Sequence, residues 1–365
     1  MMMKTLLKLT ALSVCFMVAG CSSNSNTQRI SPLAETATYN KARTLNNFQD
    51  YVQFLKRKAA GQGVSAATLN AQQNIRYITK AVELDQKQAG NLARRKNQPP
   101  SPPNPNGATN YITKHLTQAK VDKAEENYWD IRTPLQKASQ NFGVQQEFIL
   151  ALWGMESSFG YYQGNFDVLS VLATLAFDGR REKLFSKEFV NAMKMLDRND
   201  IQRTRLLGSW AGAMGQTQFM PTSYLNYAAD GDGDGRKDIW TNEYDVFASI
   251  ANYLHTVGWN DKLPWGVEVE LTQYIDLAQS GTEKGKSRSL SDWQAQGVTL
   301  KNAFEQNKLN AMANAELWLV RPDKEVGRAF LVTNNFRTIL DWNRSTYYAL
   351  SVGMFADRIK SVTGM

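Results

Sequence analysis

Glu156 closes an almost unbroken apolar run, Phe148-Ile149-Leu150-Ala151-Leu152-Trp153-Gly154-Met155, and Ser157-Ser158-Phe159-Gly160 follows it at once. Hydrocarbon surroundings penalise the charged form of a carboxyl group and raise its pKa. A glutamic acid so placed suits proton donation near neutral pH. The second chemical signal is Asp230-Gly231-Asp232-Gly233-Asp234-Gly235. It supplies carboxylates at loop positions one, three and five and a glycine at six, as a calcium-wrapping loop requires, with the Arg236 carbonyl at seven. Position twelve is Thr241, where a bidentate glutamate is usual, so Glu243 and Asp245 are the acids available to close the loop. The bland reading is an acidic Asp-Gly turn. The two histidines, His115 and His255, form no zinc-binding helix, and no serine sits in a nucleophile elbow. His255 shares a helical stretch with Phe247, Ile250, Ala251 and Leu254, which suits a structural role.

The elements that must position these groups are mostly helical. Phe48, Tyr51, Val52 and Leu55, then Ile75, Ile78, Ala81 and Leu84, fall at helical spacing, as do Tyr128, Ile131, Leu135 and Ala138. Between them Gln98-Pro99-Pro100-Ser101-Pro102-Pro103-Asn104-Pro105 reads as an exposed loop within one helical domain. Glycine-rich interruptions at Gly208 to Gly215 and Gly231 to Gly235 break the central part. Beyond Pro264, Val267-Glu268-Val269-Glu270-Leu271, Leu317-Trp318-Leu319-Val320 and Ala329-Phe330-Leu331-Val332-Thr333 predict a small sheet. A last helix is expected over roughly Ser345 to Val362.

Residues 1–20 read as an export signal, with Lys4 and Lys8 ahead of an apolar stretch from Leu9 to Ala19. That stretch is short of the about 20 residues a spanning helix needs. Val18-Ala19-Gly20-Cys21 resembles the lipobox of bacterial lipoproteins, which implies acylation of Cys21 and a membrane anchor. Ser22 resembles the residue found in lipoproteins sent to the outer membrane. The polar stretch that follows suits a tether. Cys15 lies within the signal, so the mature chain has no disulfide to form. Subtracting Lys4 and Lys8 from the 42 basic residues leaves 40 against 34 acidic ones, a net charge near +6 that favours polyanions. Export sets nucleic acid aside and leaves anionic lipid and cell-wall peptides.

Gly154-Met155-Glu156-Ser157-Ser158-Phe159-Gly160 resembles the Glu-Ser signature of lysozyme-like lytic transglycosylases. Gly208-Ser209-Trp210-Ala211-Gly212-Ala213-Met214-Gly215-Gln216-Thr217-Gln218-Phe219-Met220-Pro221 resembles their second signature. From about Phe48 to the C-terminus the chain is similar to the membrane-bound lytic murein transglycosylase B family, through Leu175 to Arg181, Ala251 to Leu254, Phe330 to Phe336 and Trp342 to Leu350. The resemblance implies a mainly α (α+β) fold: a lysozyme-like helical core with an N-terminal helical domain and a small inserted β-sheet domain. The expected division is signal peptide 1–20, lipidated cysteine and tether 21–45, and helical domain 46–140. The catalytic core follows at 141–262 with an EF-hand-like loop at 230–245, then the β-containing domain at 263–335 and a C-terminal helix at 336–365 that completes the helical domain.

Carried over residue by residue, the resemblance implies Glu156 as the catalytic residue. It implies Tyr111, Ser158, Gln218, Tyr253, Asn343 and Tyr348 in the groove, and Arg180 and Arg181 near the peptide stem. Trp342 stands where the family usually has Tyr or Phe, a departure bearing on groove shape. In the family the calcium loop is long and closes late, which points to Asp230, Asp232, Asp234, the Arg236 carbonyl and Asp245 around a structural Ca2+. Catalysis is expected to need no cofactor. Most glycosidases use two carboxylates; here Asp167 and Asp178 are the nearest second acids, and neither lies in the catalytic signature. The implied chemistry is therefore cleavage of the β-1,4 bond between N-acetylmuramic acid and N-acetylglucosamine by Glu156 alone, leaving 1,6-anhydromuramoyl ends. The rival readings are a hydrolytic muramidase and a non-catalytic peptidoglycan-binding lipoprotein. The expected setting is the periplasmic face of the outer membrane of a Gram-negative bacterium, with glycan strands as partner and a monomer as the default state.

Overall fold

The computed structural model describes residues 38–97 and 104–365. The signal, Cys21, the tether to residue 37 and Gln98 to Pro103 of the proline-rich stretch lie outside the described residues. The chain opens with helices α1 (Phe48–Gly61), α2 (Ala66–Ala71), α3 (Thr79–Asn97), α4 (Gly107–His115), α5 (Gln118–Phe142) and α6 (Gln146–Ser157). A two-residue strand β1 (Phe166–Asp167) leads into α7 (Val168–Asp178) and α8 (Glu182–Asp197), and β2 (Leu207–Gly208) precedes α9 (Pro221–Tyr227) and α10 (Glu243–Thr256). Strands β3 (Gly266–Leu271), β4 (Val298–Leu300), β5 (Trp318–Val320) and β6 (Ala329–Val332) alternate with the short helices α11 (Leu290–Ala295) and α12 (Gln306–Ala311). Helices α13 (Asn334–Trp342) and α14 (Thr346–Thr363) end the fold, which is mainly helical with two small antiparallel sheets. No helix among the described residues is long and apolar enough to cross a membrane.

The apolar run before Glu156 is an enclosed helix of the core. Every residue of α6 from Glu147 to Gly154 is buried, and α5, α10 and α14 pack around it. A helix that is apolar on all sides is stable only in such a sheath. Its one buried charge near the start, Glu147, is met by Lys360 of α14 at 3.0 Å. Gly154 is a poor helix former, but a Cβ there would lie 2.7 Å from the Phe159 ring and 2.9 Å from Phe355, so the glycine lets both rings close over the helix.

A continuous apolar core joins the first helices to the rest. Tyr39, Phe48, Tyr51 and Phe177 form an aromatic cluster, and the Arg43 guanidinium stacks 4.7 Å from the Tyr51 centroid while reaching Glu182 at 2.8 Å.

The four-stranded sheet has the order β4-β3-β6-β5. Its register pairs Val267 with Leu331 and Leu319 with Leu331. Period-two alternation splits its faces. Val267, Val269, Leu319, Ala329 and Leu331 close a small core with Trp293 and Met312; Trp318, Val320, Phe330 and Val332 join the helical core instead. Trp265 locks this unit to α14, its indole donating to Asp357 at 2.9 Å. The three alternating or β-branched runs seen in the sequence are therefore strands, whereas β4 and the β1–β2 pair had no visible pattern.

Candidate active site

Glu156 sits in the last turn of α6, where the chain must leave the core. Ser158, Phe159 and Gly160 take left-handed backbone angles in succession, with φ of 53, 61 and 80°. Such angles cost free energy in non-glycine residues and persist only where the surroundings over-determine them. Here Ser157 Oγ accepts from the Gly160 amide at 3.0 Å, and the Ser157 carbonyl accepts from the Tyr162 amide at 2.7 Å. Phe159 is pinned against Trp153 at 5.4 Å between centroids. Ser158 thus serves as the left-handed cap of α6.

Two donors from the far end of the chain converge on one oxygen of Glu156. The indole Nε1 of Trp342 donates to Oε1 at 2.8 Å across 186 residues of sequence, and the Tyr348 hydroxyl donates to the same atom. Trp342 ends α13 and Tyr348 lies in the first turn of α14, whose Ser345 cap accepts from the Tyr348 amide. Burial raises the Glu156 pKa, opposed by the hydrogen bonds from Tyr348 and Trp342 and by the charge of Lys120. Burial lowers the pKa of Lys120, and the Glu156 charge partly restores it; its Nζ rests 3.8 Å from the Met155 sulfur. Tyr348 is 6 % exposed, and its hydroxyl is driven well above its ordinary pKa by burial and by the Glu156 charge. It is a hydrogen-bond donor to Glu156 and not a source of protons.

Aromatic rings wall this corner. Trp342 packs against Tyr253 at 4.7 Å and Phe219 at 5.3 Å between centroids. Burial, then Tyr227 and Asp341, push the Tyr253 pKa up to about 12. Tyr111 of α4 feels the Glu156 charge, which together with burial raises its pKa, and its ring lies 4.4 Å from that of His115. Asn343 caps α13 from an exposed position, its side-chain oxygen accepting from the Ser345 amide at 3.1 Å. Tyr111 of α4, Trp342 of α13 and Tyr348 of α14 therefore converge on Glu156, and Tyr253 of α10 backs the Trp342 ring.

Other expected residues are engaged elsewhere. The Gln218 amide nitrogen donates to the carbonyls of Gln163 at 3.2 Å and Gly215 at 2.9 Å, so it holds the loop. Arg180 and Arg181 both clamp the carboxylate of Asp85 on α3, which is 1 % exposed; Arg180 Nε donates at 2.6 Å. Of the alternative acids, Asp167 is bound by Arg203 and Ser170, and Asp178 accepts from Gln86. His255 Nδ1 lies 2.9 Å from the Phe142 carbonyl, in keeping with a structural role.

Three groups had no separate assignment in the sequence. Trp342 stood out only as a departure from a pattern, and Lys120 not at all. Gln216, 4 % exposed, accepts from the Trp153 indole at 2.7 Å and donates to the Trp240 carbonyl at 3.0 Å. It ties α6, the helix that carries Glu156, to the 208–220 loop and to the end of the acidic loop.

That loop gathers Asp230, Asp232 and Asp245, with a carboxylate oxygen from each within 4.8 Å of the others. Asp230 accepts from the Gly233 amide at 2.6 Å and the Gly235 amide at 2.8 Å. Asp245, wholly buried at the start of α10, accepts from the Gly231 and Asp238 amides at 2.7 and 2.6 Å. Burial raises its pKa to about 6, with the neighbouring charges of Asp232 and Asp230 adding to the rise and the two amides opposing it. Three convergent oxygen ligands whose mutual repulsion a cation would relieve fit a hard divalent ion. Asp245 rather than Glu243 supplies the late acid of this trio, and Asp234 stands outside it, accepting from the Arg236 amide at 2.8 Å.

A family model described as the Transglycosylase SLT domain matches residues 47–357. Membrane-bound lytic murein transglycosylase B of Escherichia coli (strain K12) is 33 % identical over 257 residues, 69 % of this chain and 67 % of its own length. Among solved structures, SltB3 of Pseudomonas aeruginosa, in complex with NAG-anhNAM-pentapeptide, superposes with a TM-score of 0.73 at 34 % identity, covering 86 % of this chain and 79 % of that one. The Escherichia coli lytic transglycosylase Slt35, in complex with calcium, gives 0.67 at 26 % identity over 87 % of this chain and 94 % of that one. With a family model matched over residues 47–357 and relatives alike over most of the chain, the chain belongs to the SLT-domain transglycosylases and is a lytic transglycosylase of peptidoglycan.

Proposed function

We propose that the chain cleaves the β-1,4 bond between N-acetylmuramic acid and N-acetylglucosamine with Glu156 as acid and then as base, leaving 1,6-anhydromuramoyl ends. The observation that carries this reading is the setting of Glu156: a carboxyl group of raised pKa, wrapped by aromatic rings, with both rival acids paired elsewhere. In the first step the Glu156 proton passes to the glycosidic oxygen. The C1–O bond breaks, its electron pair leaves with the N-acetylglucosamine hydroxyl, and the substrate's acetamido oxygen bonds to C1. In the second step the muramoyl C6 hydroxyl oxygen attacks C1 and displaces the acetamido oxygen, while its proton returns to Glu156. No water is consumed. A group that gives and retakes a proton works best with a pKa near the working pH, which burial favours here. The Pseudomonas relative, solved with an anhydro-sugar peptide, supports the product assignment.

Groove contacts are assigned to Tyr111, Tyr253, Asn343 and Tyr348. Asp230, Asp232 and Asp245 would hold a structural Ca2+, a reading supported by the calcium complex of the relative Slt35. Anchoring through acylated Cys21 at a periplasmic membrane face is supported by the lipobox-like Val18-Ala19-Gly20-Cys21 and by the membrane-bound relative. The test is mass spectrometry of purified peptidoglycan digested by the wild type and by Glu156→Gln. The expected result is muramic ends one water lighter than reducing ends, and no release by the variant. Reducing ends throughout would replace the proposal by a hydrolytic muramidase.

A further inference from the structure

Trp342 and Tyr348 donate to the same oxygen, Oε1, and among the described residues no donor is recorded at Oε2. An indole N–H can only donate. Whatever the protonation state of Glu156, Trp342 therefore keeps Oε1 as an acceptor and cannot face a proton there. The indole cannot easily swing aside, because its ring is wedged against both Tyr253 and Phe219. Tyr348 alone would not impose this, since a hydroxyl can rotate to accept.

We infer that Trp342 is a positioning residue that selects Oε2 as the oxygen carrying the transferable proton and holds the carboxyl plane toward the substrate. The inference rests on Glu156 being the acid proposed above. Tyr348 sets the carboxylate's second donor, and the aromatic wall sets the angle of the first. Loss of the N–H leaves Oε1 with one donor that can reverse its role. The proton is then free to sit on either oxygen, and the ionised form loses a charge-assisted hydrogen bond.

The groups that face the carboxyl group from packed elements are Lys120 on α5, Tyr111 on α4 and Tyr348 on α14, and none of these changes when Trp342 is replaced. The experiment is the pH dependence of muropeptide release by Trp342→Phe beside the wild type, with kcat and KM separated. Replacement of the indole by its sulfur isostere, benzothienylalanine, serves as the variant that keeps ring size and packing. Glu156 must be protonated to act as acid, so activity falls as pH rises through its pKa. Both replacements are expected to move that descending limb to higher pH by about one pH unit and to lower kcat about tenfold with KM little changed. A limb that stays in place for the isostere, with wild-type kcat, would overturn the inference. A purely packing role would instead show as a lower melting temperature or a higher KM for Trp342→Phe with the limb unmoved, which also counts against it. If Glu156→Gln kept wild-type activity, the fault would lie in the assignment of Glu156 itself.

Discussion

The indole of Trp153, three residues before Glu156 on the same helix, donates to the side-chain oxygen of Gln216 at 2.7 Å, both groups being buried. Through its amide nitrogen Gln216 then reaches the Trp240 carbonyl at the end of the acidic loop. One side chain thus connects the helix that carries Glu156, the small-residue loop and the proposed cation site.

Gln216→Ala would leave the Trp153 N–H and the Trp240 carbonyl without partners in the interior. Each such orphan costs about 1–3 kcal/mol, so the variant is expected to lose about 3 kcal/mol of stability, read by chemical denaturation, together with much of its activity. An unchanged denaturation midpoint would show that water or a repacked neighbour satisfies both groups.

Asp85 gives a second stability test. Its carboxylate is buried and clamped by two arginines that are each about one third exposed. Removing the acid strands two positive charges, but their solvent contact moderates the effect. Asp85→Asn is expected to cost about 2 kcal/mol, below the range for a fully buried pair, with α3 more open to proteolysis. A variant as stable as the wild type would mean that the clamp merely offsets its own desolvation.

The raised pKa of Glu156 links activity-site chemistry to stability. A carboxyl group whose folded-state pKa lies above its unfolded value of 4.5 holds its proton more tightly when folded. That contribution is complete below pH 4.5 and is lost as pH rises through the folded-state pKa. Glu156→Gln, which cannot ionise, is therefore expected to gain stability relative to the wild type as pH is raised through that window. Parallel denaturation curves from acid to mildly alkaline pH would reveal it; a constant difference between the two proteins would contradict the cited direction.

Calcium is expected to raise the melting temperature, and a chelator to lower it to the metal-free value. Binding to the folded state alone stabilises by about 2.7 kcal/mol at a hundred times the dissociation constant. Asp230→Asn and Asp245→Asn should abolish the shift, whereas Asp234→Asn should reduce it less, because Asp234 lies outside the converging trio. Equal loss in all three variants would place Asp234 in the coordination sphere.

Glu156 was legible because its apolar run has no reason to end in a carboxylate unless the group is used, and that run is the enclosed helix α6. The sheet was legible in β3, where Val267, Val269 and Leu271 alternate with Glu268 and Glu270, and in β5 and β6, which lie in the continuous apolar runs Leu317 to Val320 and Ala329 to Val332. It was not legible in β4, where Thr299 interrupts Val298 and Leu300 and polar residues flank them, or in the two-residue pair of Phe166–Asp167 with Leu207–Gly208, which is too short to carry a pattern. Ser158, two residues beyond Glu156, and Tyr253 were expected in the groove with it. The donors are instead Trp342 and Tyr348, 186 and 192 residues away, and nothing local encodes a contact at that separation. Gln216 and Gln218 flank Thr217 with the same chemistry. The positive φ of 51° at Gln218 and the burial of Gln216 distinguish them only once the loop is folded.

In the proposed reaction one carboxyl group, that of Glu156, moves one proton out and back and no water is consumed. Digestion of purified peptidoglycan in water enriched in heavy oxygen tests it most directly. Muropeptides released by the wild type should carry no label and end in anhydromuramic acid. Heavy oxygen at C1 of the newly formed muramic ends would contradict the claim.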